Sequence, residues 1–599
     1  MTRSAAVGID LGTTTSAVAV AGPDGRPVVV EDEAGPAVIP SVVFVQQDGR
    51  VLVGEAAAAA AESDPANAFY GVKRLMGRSY SEAVAEAEDG EGAASPSSSS
   101  SAAAEGPLRR RLGGLRSFGL VEGPTGGVEL ACPALGRSMT PPEVSAHIVR
   151  HLLERATAFL ERRGAAAAAG GDGSGGSVQV LDAVVTVPAN YSPAQKAAVL
   201  AAARTAGLQR VSLLQAEPIA AALAYGFGSP QVPYDVLLVF DLGGGTLDLT
   251  IVEAFEGIME VLATSGDNRL GGDDFTAALA EWLAQRLETA ATAAGSRSGC
   301  SSRPADAQEG HTGAVAVAAD AAQREEKAGL DPLALFRASE AAKLALSRAA
   351  GGSGVGAASG NGSSSGSGTT VRVRLPAGRA TGACGAPSRQ DHPEEGEEVE
   401  LTEEKFRQLV RPLMQRVWWP LERLAISTRT QLGGRLPADL DPRATSSTAS
   451  SASTSSLDAS EGPGRRDGAA AWEFAIFPPT HGSPEGPASR SAPKYVAPPR
   501  RLSGVVLVGA ATRLPVIRDY VTEVTGLPIR PGVDPETAVA LGAALHAGLM
   551  VGAVSGGIEM NDGGYVEALH GRTAGFQTAA SASSMASGSG EEDGLVWEP

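Results

Sequence analysis

Short runs in which apolar residues cluster or alternate, such as Val178–Val187 and Val505–Val508, predict β-strands. Helical patterns with clear starts stand between them. Ser192 with Pro193, Asp331 with Pro332 and Asp534 with Pro535 each place a capping side chain before a proline, whose missing N–H costs nothing in a first turn. This alternation of strand and helix predicts an α/β fold. The amphipathic run from Leu401 to Leu432 predicts a helix with Trp418 and Trp419 in its core. Ala538 to Val554, mostly alanine and glycine around His546, predicts a tightly packed core helix and not a membrane span.

One pattern occurs twice. Val7-Gly-Ile-Asp10-Leu-Gly12-Thr-Thr-Thr15 is echoed by Val239-Phe-Asp241-Leu-Gly243-Gly-Gly-Thr246, and each copy leads into a second strand pattern, Ala17–Val20 or Leu247–Val252. Two similar hairpins predict two similar half-domains.

Five stretches break the patterning: roughly 81–127, 164–177, 289–329, 349–398 and 433–502, each rich in Gly, Ser, Ala or Pro and expected to be loops or disordered insertions. With 75 glycines among 599 residues, the folded part is expected to be well short of the full length. A formal charge of −19 would repel the phosphate backbone of a nucleic acid, which excludes it as a natural partner. Cys132, Cys300 and Cys384 are odd in number and far apart, suggesting neither a disulfide framework nor a zinc site. His147 and His151 are four apart but lack a third ligand at matching spacing. Strand patterning from about Ala5 leaves no room for a cleavable leader, so a cytoplasmic, membrane-free location is expected.

The repeated loops suit phosphate. Gly12 and Gly243, Gly244 and Gly245 let the backbone approach closely, while Thr13, Thr14, Thr15 and Thr246 offer hydroxyls. Asp10 and Asp241 would repel a bare phosphate, so their presence points to an intervening divalent cation, Mg²⁺. Taken singly, either loop is equally an ordinary glycine-bearing hairpin, and neither matches the GxxxxGK[ST] phosphate loop.

IDLGTTTSAVAV and VFDLGGGTLDLTIVE resemble the two phosphate motifs of the seventy-kilodalton heat-shock (DnaK-like) chaperone family, within the actin and sugar-kinase superfamily. Further blocks agree in order: YGVKRLMGR at 70–78, PPEVSAHIVRHLLERATAFL at 141–160, AVVTVPANYSPAQKAAVLAAARTAGL at 183–208, LLQAEPIAAALAYGFG at 213–228, LGGDDF at 270–275, SEAAKLALS at 339–347, VVLVGAATRLPVI at 505–517 and VDPETAVALGAA at 533–544. The resemblance implies a two-lobed actin-like ATPase fold with a duplicated ribonuclease-H-like core. Lobe I would hold 1–230 and lobe II most of 231–553, with the last helix crossing back, and 554–599 would be a flexible tail.

It also implies ATP with Mg²⁺ as ligands and K⁺ as a further candidate ion. Lys73 would act on the γ-phosphate, with Glu217 and Asp248 as acids near metal and water and Thr246 as a phosphate hydroxyl. Outside its block Lys73 would read as a solvated charge, and Glu217 before Pro218 also suits a helix start. Glu340, Lys343 and Ser347 share one helix face and would contact sugar and base, although alone that face reads as solvated. Gly509 and Arg513 would border the base. Here the chain departs from the family: Ala510 and Ala511 replace a glycine and a serine, and Leu344 stands where the family has a second base-clamping arginine.

Only 49 residues follow Met550, too few for a β-sandwich and helical lid, so the chain is expected to lack the family's peptide-binding domain. J-domain co-chaperones, nucleotide-exchange factors or a separate client-binding protein are the implied partners. A nucleotide-sensing pseudo-ATPase, and a filament former or small-molecule kinase of the same superfamily, remain alternatives.

Overall fold

The structure, a computed structural model, describes residues 3–22, 26–31, 35–61, 63–91, 118–168, 178–208, 210–227, 234–255, 258–297, 332–351, 370–374, 398–434, 499–530, 532–551 and 559–561. Most of the five predicted insertions, together with Asp331, Cys300 and Cys384, lies outside the described residues.

The first half is built on β1 (Arg3–Leu11), β2 (Thr15–Ala21), β3 (Pro27–Val29) and β4 (Val38–Pro40). A small sheet of β5 (Val42–Val45), β6 (Val51–Val53) and β7 (Ala68–Tyr70) follows, with the short helix α1 (Glu55–Ala60) against β5. After α2 (Tyr80–Glu91) come β8 (Leu120–Glu122), β9 (Val128–Cys132) and β10 (Arg137–Met139), which make a third sheet. Helix α3 (Pro141–Ala168) then leads to β11 (Val178–Val187), α4 (Pro193–Thr205), β12 (Arg210–Ala216) and α5 (Glu217–Ala224). The main sheet runs β12-β11-β1-β2-β3, with β4 also beside β2. Val7, Ile9 and Leu11 of β1 are buried with Val149 and Leu152 of α3 and Val199 of α4. A strand covered in this way reads as a nearly continuous apolar run, which is why β11 matches its sequence pattern end to end.

The second half repeats the plan. Strands β13 (Asp235–Leu242) and β14 (Leu247–Phe255) form a hairpin, β15 (Ile258–Asp267) extends it, and α6 (Gly272–Arg297) and α7 (Pro332–Gly351) follow. Beyond a ribbon of β16 (Thr370–Arg374) and β17 (Glu398–Thr402) comes α8 (Glu403–Thr428), then a second ribbon of β18 (Thr430–Gln431) and β19 (Arg500–Arg501). The last elements are β20 (Gly504–Val508), α9 (Pro515–Thr525), α10 (Ala538–Met550) and β21 (Glu559–Asn561). The sheet order is β20-β13-β14-β15-β21.

The duplication extends to register. In the first half β1 pairs antiparallel with β2 and parallel with β11; in the second, β13 pairs antiparallel with β14 and parallel with β20. Each repeated aspartate therefore lies near the end of a strand flanked on both sides, with its glycine turn just beyond.

Helix α10 crosses back to the first half. Its Ala540 and Ala544 pack on Ala17 and Ala19, and its Ala543 and Ala547 on Val184. The approach is backbone to backbone: a Cβ on Gly8 would overlap Ala544 N, and one on Gly542 would overlap Ala220 O. Small residues are what this seam requires. Among the described residues no helix is long and apolar enough to cross a membrane.

Several expectations are corrected. Residues 81–91, 164–168, 289–297 and 349–351 are helical and 120–122, 370–374 and 500–501 form strands, within stretches expected to be irregular. Helix α10 starts at Ala538, not at Pro535, because Asp534 closes a turn: its carbonyl accepts from the Thr537 and Ala538 amides and its carboxylate accepts from Glu536 N. Trp418 is partly buried against the core, but Trp419 is 53% exposed. Adjacent helical residues point about 100° apart, so one apolar stripe cannot take both.

Candidate functional site

The two hairpin turns face each other. Ser41 Oγ donates to Gly12 O (2.9 Å) and fixes the first turn, while Gly243 N donates to Thr246 O (3.0 Å) in the second. A Cβ on Gly12 would overlap Thr15 O, and one on Gly244 would come within 2.5 Å of Thr14 Oγ1. Glycine thus closes the first turn at Gly12 and lets the tips meet at Gly244. Behind the second turn, Gly272 N and Asp273 N donate to Gly243 O (2.9 Å) and Gly244 O (2.7 Å), so the LGGDDF block buttresses it.

Between the turns lies a cleft of about 540 Å³, within the range of small-molecule sites. Its walls take in Asp10, Gly12, Thr13, Thr14, Lys73 and Glu217 from the first half. From the second come Asp241, Gly243, Gly244, Gly245, Thr246, Asp248, Glu340, Lys343, Ser347 and Gly509. The structure therefore brings together every sequence-predicted site residue except Arg513.

Lys73 stands on a tight turn, Val72–Leu75, that starts from the left-handed Gly71. Its Nζ donates to Glu217 Oε1 at 2.6 Å, with the two side chains 8% and 14% exposed. Glu217 is the first residue of α5, so it is both a helix-start acid and the lysine's partner. Burial works against the charge of Lys73, but Glu217, then Tyr191 and Asp10, outweigh it and raise the ammonium above its ordinary range.

The acids respond in the opposite way. Desolvation, reinforced by Glu217, raises Asp10 to about 7 despite Lys73 and the Thr186 hydroxyl, which donates to Asp10 Oδ1 at 3.2 Å. Asp248 rises to about 6 by desolvation and the charge of Glu217. Asp241, opposite Asp248 in register, is pushed well above the usual carboxylate range by desolvation, Asp248, Glu217 and Asp10. A group of carboxyls that ionises with difficulty fits a divalent cation, which would favour the ionised forms. Among the described residues no cluster of three or more His, Cys, Asp and Glu could hold a metal ion alone. A cation here would thus draw on water and ligand oxygens as well.

The second-half residues divide. Lys343 Nζ donates to Gly272 O (2.9 Å) and Thr276 Oγ1 (2.8 Å) and pairs with Glu340 (2.7 Å), bracing the glycine turn while lining the cleft. Gly509 has φ 85°, and a Cβ there would overlap Leu242 O, so its role begins with backbone packing. Arg513, expected at the base, does not line the cleft; its guanidinium pairs with Asp534 and, at 2.7 Å, with Glu536. The two acids of the VDPETA turn hold it instead. Glu536 itself lines the cleft, and burial raises its carboxyl against the pull of Arg513.

Sequence reasoning missed Arg74, Arg78, Thr186, Tyr191 and Gln195. Four of these line the cleft, and Thr186 binds Asp10 from beneath. Tyr191 Oη donates to Lys73 O at 3.1 Å, and burial raises its phenol to about 12. The signal available was position: Arg74 and Arg78 share the KRLMGR run, and Thr186 to Gln195 share the TVPANYSPAQ run.

The profile of the Hsp70 protein family matches residues 6–95, 115–298 and 497–563, more than half of the chain. The chain belongs to the Hsp70 family. Membership gives the duplicated sheets their identity as the actin-like ATPase fold. Among similar proteins, chaperone protein dnaK3 of Thermosynechococcus vestitus is 31% identical over 92% of this chain and 55% of its own length. Chaperone protein DnaK of Thermus thermophilus is 30% identical over 92% of this chain and 61% of its own. The chloroplastic stromal 70 kDa heat shock-related protein of Pisum sativum is 38% identical over 46% of this chain and 33% of its own. This Hsp70-family chain thus spans about half the length of the relatives it matches.

Proposed function

We propose that the chain binds Mg-ATP in the inter-hairpin cleft and hydrolyses it slowly, as the nucleotide domain of a cytoplasmic chaperone system. The observation that carries this is the Lys73–Glu217 pair set among Asp10, Asp241 and Asp248 between two glycine turns. Lobe I over 1–230 and lobe II over 231–553 would close on the ligand, with 554–599 as a tail.

In the reaction, water attacks the γ-phosphorus as the bond to the β–γ bridging oxygen breaks, giving ADP and phosphate. Lys73, oriented by Glu217 and by Tyr191 at its carbonyl, supports charge on the phosphoryl oxygens and positions the water. Thr13, Thr14, Thr246 and the turn amides hold phosphate oxygens. Asp248, which lines the cleft opposite Asp241 in register, is placed to accept the water's proton. Asp10 and Asp241 would hold Mg²⁺, which when bound neutralises phosphate charge; K⁺ is a further candidate ion.

Closure would be sensed by J-domain co-chaperones, nucleotide-exchange factors or a separate client-binding protein. A nucleotide-sensing pseudo-ATPase is the second reading, favoured by Leu344 and Ala510 in the cleft wall and by the diversion of Arg513.

Single-turnover hydrolysis with Mg²⁺ tests both. Lys73→Ala is expected to slow cleavage by roughly a hundredfold or more, the usual cost of losing one preorganised electrostatic contact. Thr13→Ala is expected to weaken ATP binding. Binding without cleavage in the native chain would favour the pseudo-ATPase, and no ATP binding would sink both.

A further inference from the structure

Lys73, Arg74, Arg78 and Lys343 all line the cleft. Lys73 is committed to Glu217 and Lys343 to Glu340. Arg74 differs: its Nε is buried and has no hydrogen-bond partner. A guanidinium N–H is a strong donor, and one left dry and unpaired favours a shift of the head toward any acceptor that a ligand brings into the cleft.

The position of the side chain is specific. Arg74 follows Lys73 on the Val72–Leu75 turn, where successive side chains diverge by about 120°. Lys73 goes to Glu217 in its own half. Arg74 instead crosses the cleft to the second hairpin, where a Cβ on Gly245 would overlap its Nη2. Gly245 therefore makes room for an arginine from the other half, and the guanidinium lies against a turn built to receive phosphate. A planar head with several donors matches phosphate oxygens better than an ammonium does.

We propose that Arg74 contacts the terminal phosphate of a bound nucleoside triphosphate and ties it to the Gly245 turn, so that the cleft distinguishes triphosphate from diphosphate. This rests on the nucleotide-binding role given above. Arg74 is then the reporter of the third phosphate: with a triphosphate bound, one side chain from the first half joins the ligand and the second half, and with a diphosphate that junction is lost.

The test is equilibrium binding of ADP and of a non-hydrolysable ATP analogue, with Mg²⁺, to the full chain and to Arg74→Ala, Arg74→Gln and Arg74→Lys. Arg74→Ala is expected to weaken the triphosphate by roughly ten- to a hundredfold, the range of a charged hydrogen bond, and the diphosphate by less than about threefold. Arg74→Lys should recover part of the discrimination and Arg74→Gln little. Thermal unfolding without nucleotide checks that the variants fold. Equal weakening of both nucleotides, or of neither, overturns the proposal while leaving nucleotide binding intact. Failure of the native chain to bind either nucleotide overturns the binding role and this proposal with it. A second arm compares Gly245→Ala in the native and Arg74→Ala backgrounds. The added methyl should weaken the triphosphate in the native chain and have little effect once the guanidinium is gone, whereas equal effects would refute the link between the two residues.

Discussion

His546 and the cleft carboxyls pull the pH dependence of stability in opposite directions. Burial lowers His546 to about 4, from 6.5 when unfolded, and its Nδ1 has no partner. The folded chain then binds fewer protons there than the unfolded one, so its full contribution is present above pH 6.5 and is lost as pH falls through 4. The loss amounts to about 3 kcal/mol at most. Asp10 and Asp248, raised to about 7 and 6, act the other way: in the metal-free chain they regain stability as pH falls from 7 toward the unfolded value near 3.8. His546→Leu should remove only the first trend, so urea titrations at pH 7 and pH 4.5 are expected to show the variant gaining on the native chain at the lower pH. At this scale sequence patterns separate neighbours poorly. Lys73 and Arg74 are adjacent in one motif, yet one is tied within its own half and the other crosses the cleft. The path of Arg513 depended on where Asp534 and Glu536 would lie in space, and nothing in local spacing states that.

Short-range signals served better for whole elements. Ser192 caps α4 with a reciprocal box, Gln195 N donating to Ser192 Oγ (3.3 Å) and Ser192 N donating to Gln195 Oε1 (2.9 Å). Ser192→Ala is expected to cost about 1 kcal/mol, measured by chemical denaturation. Because Gln195 also lines the cleft, any accompanying loss of nucleotide affinity would show that the cap holds a wall of the site in place. The two hairpins were legible because aspartate, glycine and threonine at fixed offsets describe a turn without distant help. The start of α10 was not, since Asp534 and Pro535 carry the marks of a cap yet form a separate turn before the helix. The β16 strand was also missed, because among the described residues its five residues pair with β17 alone, across a long polar stretch of sequence.

At the scale of the whole molecule, the repeated motif correctly announced two related halves, while composition could not say where structured edges of the glycine-rich stretches lie. The family resemblance also implied that the last helix crosses back, and α10 does so. Gly542→Ala would drive a methyl into Ala220 O, a backbone atom that cannot rotate away. It is expected to destabilise the chain by about 3 kcal/mol, seen as a lowered unfolding temperature. The seam also sets an order of events during synthesis. Translation delivers β1 and β2 early, but the helix that seals Ala17, Ala19 and Val184 is made only after nearly every other element has been synthesised. The first sheet therefore waits with an alanine-lined face uncovered, unable to finish folding as an independent unit in the usual N-terminal-first manner.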